Sequence, residues 1–330
     1  MSVEEGTHVL PDGVELYTKT WKPDGPTRAV LAFVHGFSDH CNAYYDFFPN
    51  LATSGIEVRA FDQRGWGRTF KRPQDRGNTG GTPLVLSDIH SFLLSLSEQP
   101  NTPLFLMGHS MGGGEVLTYA LHPESPYNSS GARPQLAGVL AYSPFIALHP
   151  DSRPASLTVV AGRLVSRILP RMQRHSPLDP TYVCRDETVV ADYVQDELCH
   201  DIGTLEQLAG MLDRALWLEK LSGKDIGKTE LLPMWFGHGD ADRITSWDAT
   251  KRLAGVLKAK GDVSFASYEG AYHRLHMEPG DVKPRFAKDM LDWMLARCPV
   301  PASTDGAREV SAHMSVEQKN EEEVGNKAKL

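Results

Sequence analysis

The stretch Leu104-Phe105-Leu106-Met107-Gly108-His109-Ser110-Met111-Gly112-Gly113-Gly114 constrains this chain more than any other. An apolar run long enough for a buried strand ends in G-H-S-M-G and passes at once into a helix-like segment, Glu115 to Leu121. In that strand, turn and helix setting, G-x-S-x-G forces its serine into a strained conformation with Oγ raised above the sheet. Small residues are needed on both sides because the two backbones approach closely, and Gly108, Gly112 and Gly113 meet that need. Ser110 is therefore the candidate nucleophile. A chain that uses it must also supply oxyanion donors, an acid and a base.

The surrounding pattern gives the frame. His8 to Lys22 reads as two extended segments around Pro11-Asp12-Gly13, an antiparallel sheet edge. Ala29-Val30-Leu31-Ala32-Phe33-Val34 is a continuous apolar run, the mark of a strand buried on both faces of a parallel sheet. A helix over 44–54, a strand over 56–61, an amphipathic helix over 84–96, the Ser110 turn and a strand over 136–143 follow in alternation. That rhythm predicts a mostly parallel sheet flanked by helices. It breaks from His149 to about Lys228, where no strand is expected and helical patterns fall at 155–169, 187–193 and 204–221. So long an insertion exceeds an ordinary connection and predicts a helical cap. Strands and helices resume with 231–236, 247–259, 263–268 and 282–296. The predicted organisation is a core over 1–148 and 229–298, a cap over 149–228, and a disordered tail over 299–330, where composition turns polar and proline-rich.

Bulk properties narrow the class. At 41% hydrophobic residues, with no run near the roughly 18 apolar residues of a membrane span, the chain reads as a soluble globule. A net charge of −8 without clustered Lys and Arg argues against nucleic acid as a partner. Met1-Ser2-Val3-Glu4-Glu5-Gly6 lacks the features of a signal peptide, so secretion is not expected. Cys41, Cys184, Cys199 and Cys298 are scattered without a C-x-x-C pair, which suggests neither a zinc site nor a disulfide framework. No metal or cofactor is expected.

A serine hydroxyl needs a base within reach and an acid to orient that base. After the insertion, His238-Gly239-Asp240-Ala241-Asp242 ends one strand and Glu269-Gly270-Ala271-Tyr272-His273-Arg274-Leu275-His276 ends the next, both on the sheet edge that carries Ser110. Asp240 and Asp242 compete as the acid. His273, directly after the Gly-Ala-Tyr turn, is preferred to His276 as the base. The backbone N–H of Met111, next to the nucleophile, and that of Phe37, in His35-Gly36-Phe37 after the early strand, are the candidate oxyanion donors; Gly36 lets the backbone come close. Asp62-Gln63-Arg64-Gly65-Trp66-Gly67 lacks a complete phosphate-binding fingerprint and reads as a turn.

Together, H-G-F-S-D-H at 35–40, G-H-S-M-G-G at 108–113, A-D-R at 241–243 and E-G-A-Y-H-R-L-H at 269–276 resemble the monoacylglycerol lipase family of α/β-hydrolases. The likeness spans roughly residues 8 to 297 and includes Val194-Gln195-Asp196-Glu197-Leu198-Cys199-His200-Asp201 in the cap. The resemblance implies the α/β-hydrolase fold and hydrolysis of a monoglyceride to a fatty acid and glycerol. It favours Asp242 as the acid, beside Ser110 and His273, with Phe37 and Met111 as the oxyanion hole. It puts Asp39 and His276 near the glycerol end, while Ser38 and Ala43 depart from the family pattern there. An apolar cap face that contacts membranes or lipid droplets is a further implication, for which Val159, Val160, Leu164, Val165, Ile168 and Leu169 are available. Cys184 and Cys199 fall in the cap, where a family cysteine can react with electrophiles; buried inert thiols are the simpler reading. A thioesterase, lysophospholipase or acyltransferase using the same three residues is the alternative activity. Ala328-Lys329-Leu330 resembles the S-K-L peroxisomal address, so the expected location is cytoplasmic or peroxisomal, with an import receptor as partner in the second case.

Overall fold

The computed structural model describes residues 1–97, 102–129, 131–153, 156–225 and 231–299, the side chains of 156–160 excepted. In chain order the strands and α-helices are β1 (Ser2–Val9), β2 (Glu15–Lys22), β3 (Ala29–Val34), α1 (Phe47–Thr53), β4 (Ile56–Phe61), α2 (Thr82–Leu96), β5 (Leu104–His109), α3 (Met111–Leu121) and β6 (Gly138–Tyr142). There follow α4 (Ser156–Ser166), β7 (Gln173–His175), α5 (Glu187–Gln195), β8 (Ile202–Thr204), α6 (Leu205–Lys220), β9 (Met234–Gly239), α7 (Trp247–Lys258), β10 (Val263–Tyr268) and α8 (Val282–Leu295).

Eight strands form one sheet in the order β1-β2-β4-β3-β5-β6-β9-β10. From β4 through β10 neighbouring strands are parallel, while β1 and β2 pair antiparallel and join through β2 to β4. Every residue of β3 and β5 is buried, because helices cover both faces. Alternate side chains divide between the two layers. Val30, Ala32, Val34, Leu104 and Leu106 pack with α2, α3 and α7. Leu31, Phe33, Phe105 and Met107 pack with α1 and α8. This is the α/β-hydrolase architecture.

The chain leaves β3 towards β4 on one side and reaches β5 on the other, so the strand order reverses between β3 and β5. Open parallel sheets have a crevice at the carboxyl ends of strands at such a switch point. The loops bearing Phe37 and Ser110 lie there.

Local expectations needed correcting in three places. The first edge strand begins at Ser2 and pairs with β2 along its whole length, although its residues are almost all exposed. Backbone pairing and the cross-strand ion pairs of Lys19 with Glu5 and Lys22 with Glu4 hold it, so no apolar pattern marked its start. The helix expected over 44–54 is divided into a 3-10 turn at Cys41–Tyr44 and α1, with Tyr45 at φ +43° between them. The insertion is not wholly helical: β7 and β8 pair antiparallel, each too short to show alternation in sequence.

Between β6 and β9, α6 lies against α3 through a buried ion pair, Arg214 Nη2 to Glu115 Oε1 at 3.0 Å, and Arg214 Nη1 also donates to Thr82 Oγ1. Among the described residues no helix is long and apolar enough to cross a membrane. The tail expected over 299–330, including Ala328-Lys329-Leu330, lies outside the described residues from position 300 onward, as do the side chains of Val159 and Val160.

Candidate active site

Ser110 joins β5 to α3 with φ +54° and ψ −118°, a conformation costing an L-residue about 1–3 kcal/mol. Three backbone hydrogen bonds hold it there. Ser110 N–H donates to Tyr142 O at 3.2 Å, and Ser110 O accepts from Gly114 N–H at 3.1 Å and Phe145 N–H at 2.8 Å. The glycines around it are dictated by contact. A Cβ at Gly108 would strike the Gly112 carbonyl, and one at Gly112 would strike the carbonyls of Val34 and His35. Gly36 brings the loop after β3 against the same turn, where a Cβ would stand 3.1 Å from Ser110 Cβ.

Asp242 follows β9 and His273 follows β10. Asp242 Oδ2 accepts from His273 Nδ1 at 2.7 Å, His238 Nε2 at 3.0 Å and Thr245 Oγ1 at 2.9 Å. Its Oδ1 accepts from the backbone N–H groups of Ile244 at 2.7 Å and Thr245 at 3.0 Å. Burial alone would raise the pKa of this carboxyl, but His273 and His238 reverse that effect and hold it far below the usual carboxylate range. Asp242 is therefore an anion that fixes the His273 ring. Asp240, its rival, is exposed and accepts from Gly270 N–H at 2.7 Å, tying two loops together away from the imidazole.

The His273 ring lies beside the Ser110 turn, its centroid 4.9 Å from that of His109. Among the described residues no hydrogen bond joins the Ser110 hydroxyl to His273, a looseness common before substrate orders such a pair. Met111 is the first residue of α3, so its N–H has no partner within the helix. Phe37 N–H has no backbone acceptor among the described residues. Phe37, Trp66 and Met111 form a small apolar cluster, against which Leu178, Leu208 and Met211 of the insertion pack.

Asp39 and His276, expected near the alcohol end of a substrate, are buried. Asp39 Oδ1 accepts from Arg274 Nη2 at 3.2 Å and from His40 N–H at 2.9 Å, and its Oδ2 from Tyr44 OH at 2.7 Å. His276 is stacked on Tyr44, and its Nδ1 meets Tyr142 OH at 3.0 Å. The sequence could not show this, because their partners come from three separate segments: residues 40–44, Tyr142 and Arg274. His109 belongs to the same layer, with Nδ1 at 3.0 Å from Tyr44 OH and its ring stacked on Tyr142. Burial pushes its pKa down to about 4. It therefore packs beneath the Ser110 turn as a neutral ring.

Three supporting residues were not foreseen. His238, four positions before Asp242, is held by Thr250 Oγ1 at 2.9 Å from its Nδ1. Thr245 and Ser143 clamp the pair from the other side: Ser143 Oγ donates to His273 O at 2.8 Å, and Thr245 Oγ1 lies 3.1 Å from Ser143 O. The available signal was their position at strand ends beside the candidate residues. Cys184 is buried, and burial pushes its thiol up to about 12, which suits an inert thiol.

The family model described as serine aminopeptidase, S33, matches residues 25–280. A Schizosaccharomyces pombe protein assigned by name to the monoglyceride lipases is 38% identical over 267 residues, covering 80% of this chain and 67% of that protein. The human monoglyceride lipase is 28% identical, covering 88% of this chain and 89% of the human one. Among solved structures, a soluble variant of the Saccharomyces cerevisiae monoglyceride lipase, in complex with a substrate analogue, superposes with a TM-score of 0.80 at 24% identity, covering 91% of this chain and 96% of that one. The monoacylglycerol lipase of Paleococcus ferrophilus gives 0.71 at 28% identity, with 86% and 99% covered.

Proposed function

The chain belongs to the serine aminopeptidase S33 family as a monoglyceride-lipase-like α/β-hydrolase and is a serine carboxylic ester hydrolase; from that premise we propose that it cleaves a monoacylglycerol to a fatty acid and glycerol, with Ser110, Asp242 and His273 as the triad. His273 takes the Ser110 proton as Oγ attacks the ester carbonyl. The tetrahedral oxyanion accepts from the N–H groups of Phe37 and Met111, which are preorganised for that charge. Collapse breaks the bond to the alcohol oxygen, and the departing alcohol takes the proton from His273. Water, deprotonated by His273, then attacks the acyl-Ser110 ester, releasing the fatty acid and restoring the serine. Asp242 remains an anion throughout and keeps the ring proton on Nδ1.

The observation that carries this reading is the 2.7 Å bond from His273 to a buried anionic Asp242 beside a strained serine turn. Gly36 supplies room for the substrate carbonyl. Asp39 and His276 pack against His109 beneath the turn. The decisive experiment pairs a fluorophosphonate probe with a substrate panel. Wild-type protein should be labelled and Ser110→Ala should not; lack of labelling of the folded wild type would refute the nucleophile. Faster turnover of an acyl-CoA or lysophospholipid than of 1-monoacylglycerol would replace the substrate assignment and favour the thioesterase, lysophospholipase or acyltransferase alternative.

Residues 149–228 act in this reading as a cap over the site. Leu164, Val165, Ile168, Leu169 and Met172 are exposed around the end of α4, between the exposed arginines Arg167, Arg171 and Arg174. An apolar face bordered by basic residues suits contact with an anionic lipid surface. Vesicle co-sedimentation should fall with Ile168→Glu; unchanged binding would remove this role. The peroxisomal reading of Ala328-Lys329-Leu330 is tested by the location of a tagged chain with and without those residues.

A further inference from the structure

Next to the loop that carries Phe37, three donor groups from two distant stretches converge. His40 Nε2 lies 2.8 Å from Asp196 Oδ2, and Cys199 Sγ joins them, so that the three donor atoms lie within 4.8 Å of one another. In a tetrahedral zinc site, neighbouring ligands stand roughly 3.3–3.8 Å apart, so His40 Nε2 and Asp196 Oδ2 would part slightly while Cys199 Sγ draws in. Asp196 and Cys199 are set in a compact turn: Cys199 N–H donates to Asp196 O at 3.0 Å, and Leu198 N–H to Asp196 Oδ1 at 2.9 Å. That turn leaves Asp196 Oδ2 facing His40, whose side chain is buried. The cluster is invisible in sequence, because the cysteines show no metal-binding spacing and His40 is far from them along the chain.

We propose that His40 Nε2, Asp196 Oδ2 and Cys199 Sγ form a site for a divalent transition metal, zinc being the best match, with one coordination position left to water. A thiolate, an imidazole and a carboxylate are the ligand types that zinc takes, and three protein ligands plus an open position is a recognised zinc arrangement. On binding, the metal replaces the Cys199 thiol proton, which is released to solvent. His40 Nε2, which donates to Asp196 Oδ2 in the metal-free protein, gives up that hydrogen bond as its proton passes through solvent to Nδ1, and the freed lone pair binds the metal. The long 3.3 Å bond from Asn42 N–H to Nδ1 is given up. One thiolate and one carboxylate neutralise the two positive charges, which suits a half-buried position.

A metal so held would fasten the Phe37 to His40 loop to residues 196–199 of the insertion.

The test uses the full chain, purified free of metal and titrated with Co2+. One equivalent should develop a thiolate-to-cobalt absorption in the near ultraviolet, and Zn2+ should displace it. In Cys199→Ser that absorption should vanish, and Zn2+ affinity, read by competition with a chromophoric chelator, should fall by about ten-fold or more. Asp196→Asn should weaken Zn2+ similarly while keeping the thiolate absorption at higher Co2+. Cys184→Ser should leave both unchanged. No cobalt–thiolate absorption in the wild type, or its persistence in Cys199→Ser, would overturn the assignment. Should Cys199→Ser lose its cooperative melting transition, full Zn2+ affinity in a folded Asp196→Asn would overturn it equally.

Discussion

Replacing Asp242 with Asn tests the electrostatic core of the site. In the native protein Oδ1 faces two fixed backbone donors, Ile244 N–H and Thr245 N–H, and Oδ2 faces His273, His238 and Thr245 Oγ1. An asparagine has one oxygen, and the two backbone donors require it on the Oδ1 side. Its NH2 group must then point at His273 Nδ1, which can meet it only as an acceptor. The ring proton shifts to Nε2, and the nitrogen facing Ser110 can no longer take a proton. Loss of the correct tautomer in a serine triad costs about 10³–10⁴-fold in kcat, or roughly 4–5.5 kcal/mol of transition-state stabilisation. Asp240→Asn is the matched control: its side chain is exposed, an asparagine oxygen can still accept from Gly270 N–H, and kcat should change less than about three-fold. The assay is kcat on a p-nitrophenyl ester and on a 1-monoacylglycerol, with melting curves to confirm folding. A folded Asp242→Asn that keeps more than about a tenth of wild-type kcat, or a larger loss in Asp240→Asn, would refute the reasoning.

Further outcomes follow from the same contacts. Removing Arg214 as Ala leaves Glu115 buried without its cation and should cost about 3–5 kcal/mol in denaturant unfolding; the double change Arg214→Met with Glu115→Leu should recover most of it, and strictly additive losses would contradict the pairing. His109, with its pKa lowered to about 4, stays neutral in the native state while the unfolded ring protonates near 6.5, so stability is lost as pH falls from about 6.5 towards 4, by up to about 3 kcal/mol. Denaturation at pH 7 and pH 4.5 should show that slope in the wild type and a shallower one in His109→Gln; equal slopes would rule His109 out as its source. Asp242, whose folded pKa lies far below its unfolded value, adds a loss that begins only below about pH 4. Gly112→Ala should lower stability by about 1–3 kcal/mol or more, since the new methyl meets the Val34 carbonyl in a rigid strand end; an unchanged melting temperature would show that the turn can give way.

Residues 29–34, 56–61 and 263–268 appear as strands with the expected bounds. The first is an uninterrupted apolar run because it is buried on both faces of the parallel sheet, whereas 263–268, on the sheet edge, is buried only at Val263 and Tyr268. The Ser110 turn was legible for a related reason: its glycines answer steric demands that only a few residues can meet. By contrast β1, β7 and β8 left no hydrophobic trace, since an exposed edge and three-residue strands are held by backbone pairing.

At the site, the sequence alone determined the order of the candidate serine, acid and base and the sheet edge on which they fall, because topology assigns the loops after parallel strands to one end. The sequence left Asp240 and Asp242 as rivals; backbone conformation turns Asp242 inward to His273 and leaves Asp240 against Gly270 N–H. The positions of Asp39 and His276 were likewise a tertiary decision, as was the meeting of His40 with Asp196 and Cys199. The physical reason is common to these cases. Short-range steric and hydrophobic constraints are written into neighbouring residues, whereas the partner of a buried polar group is whichever complementary atom the fold delivers from a distant part of the chain.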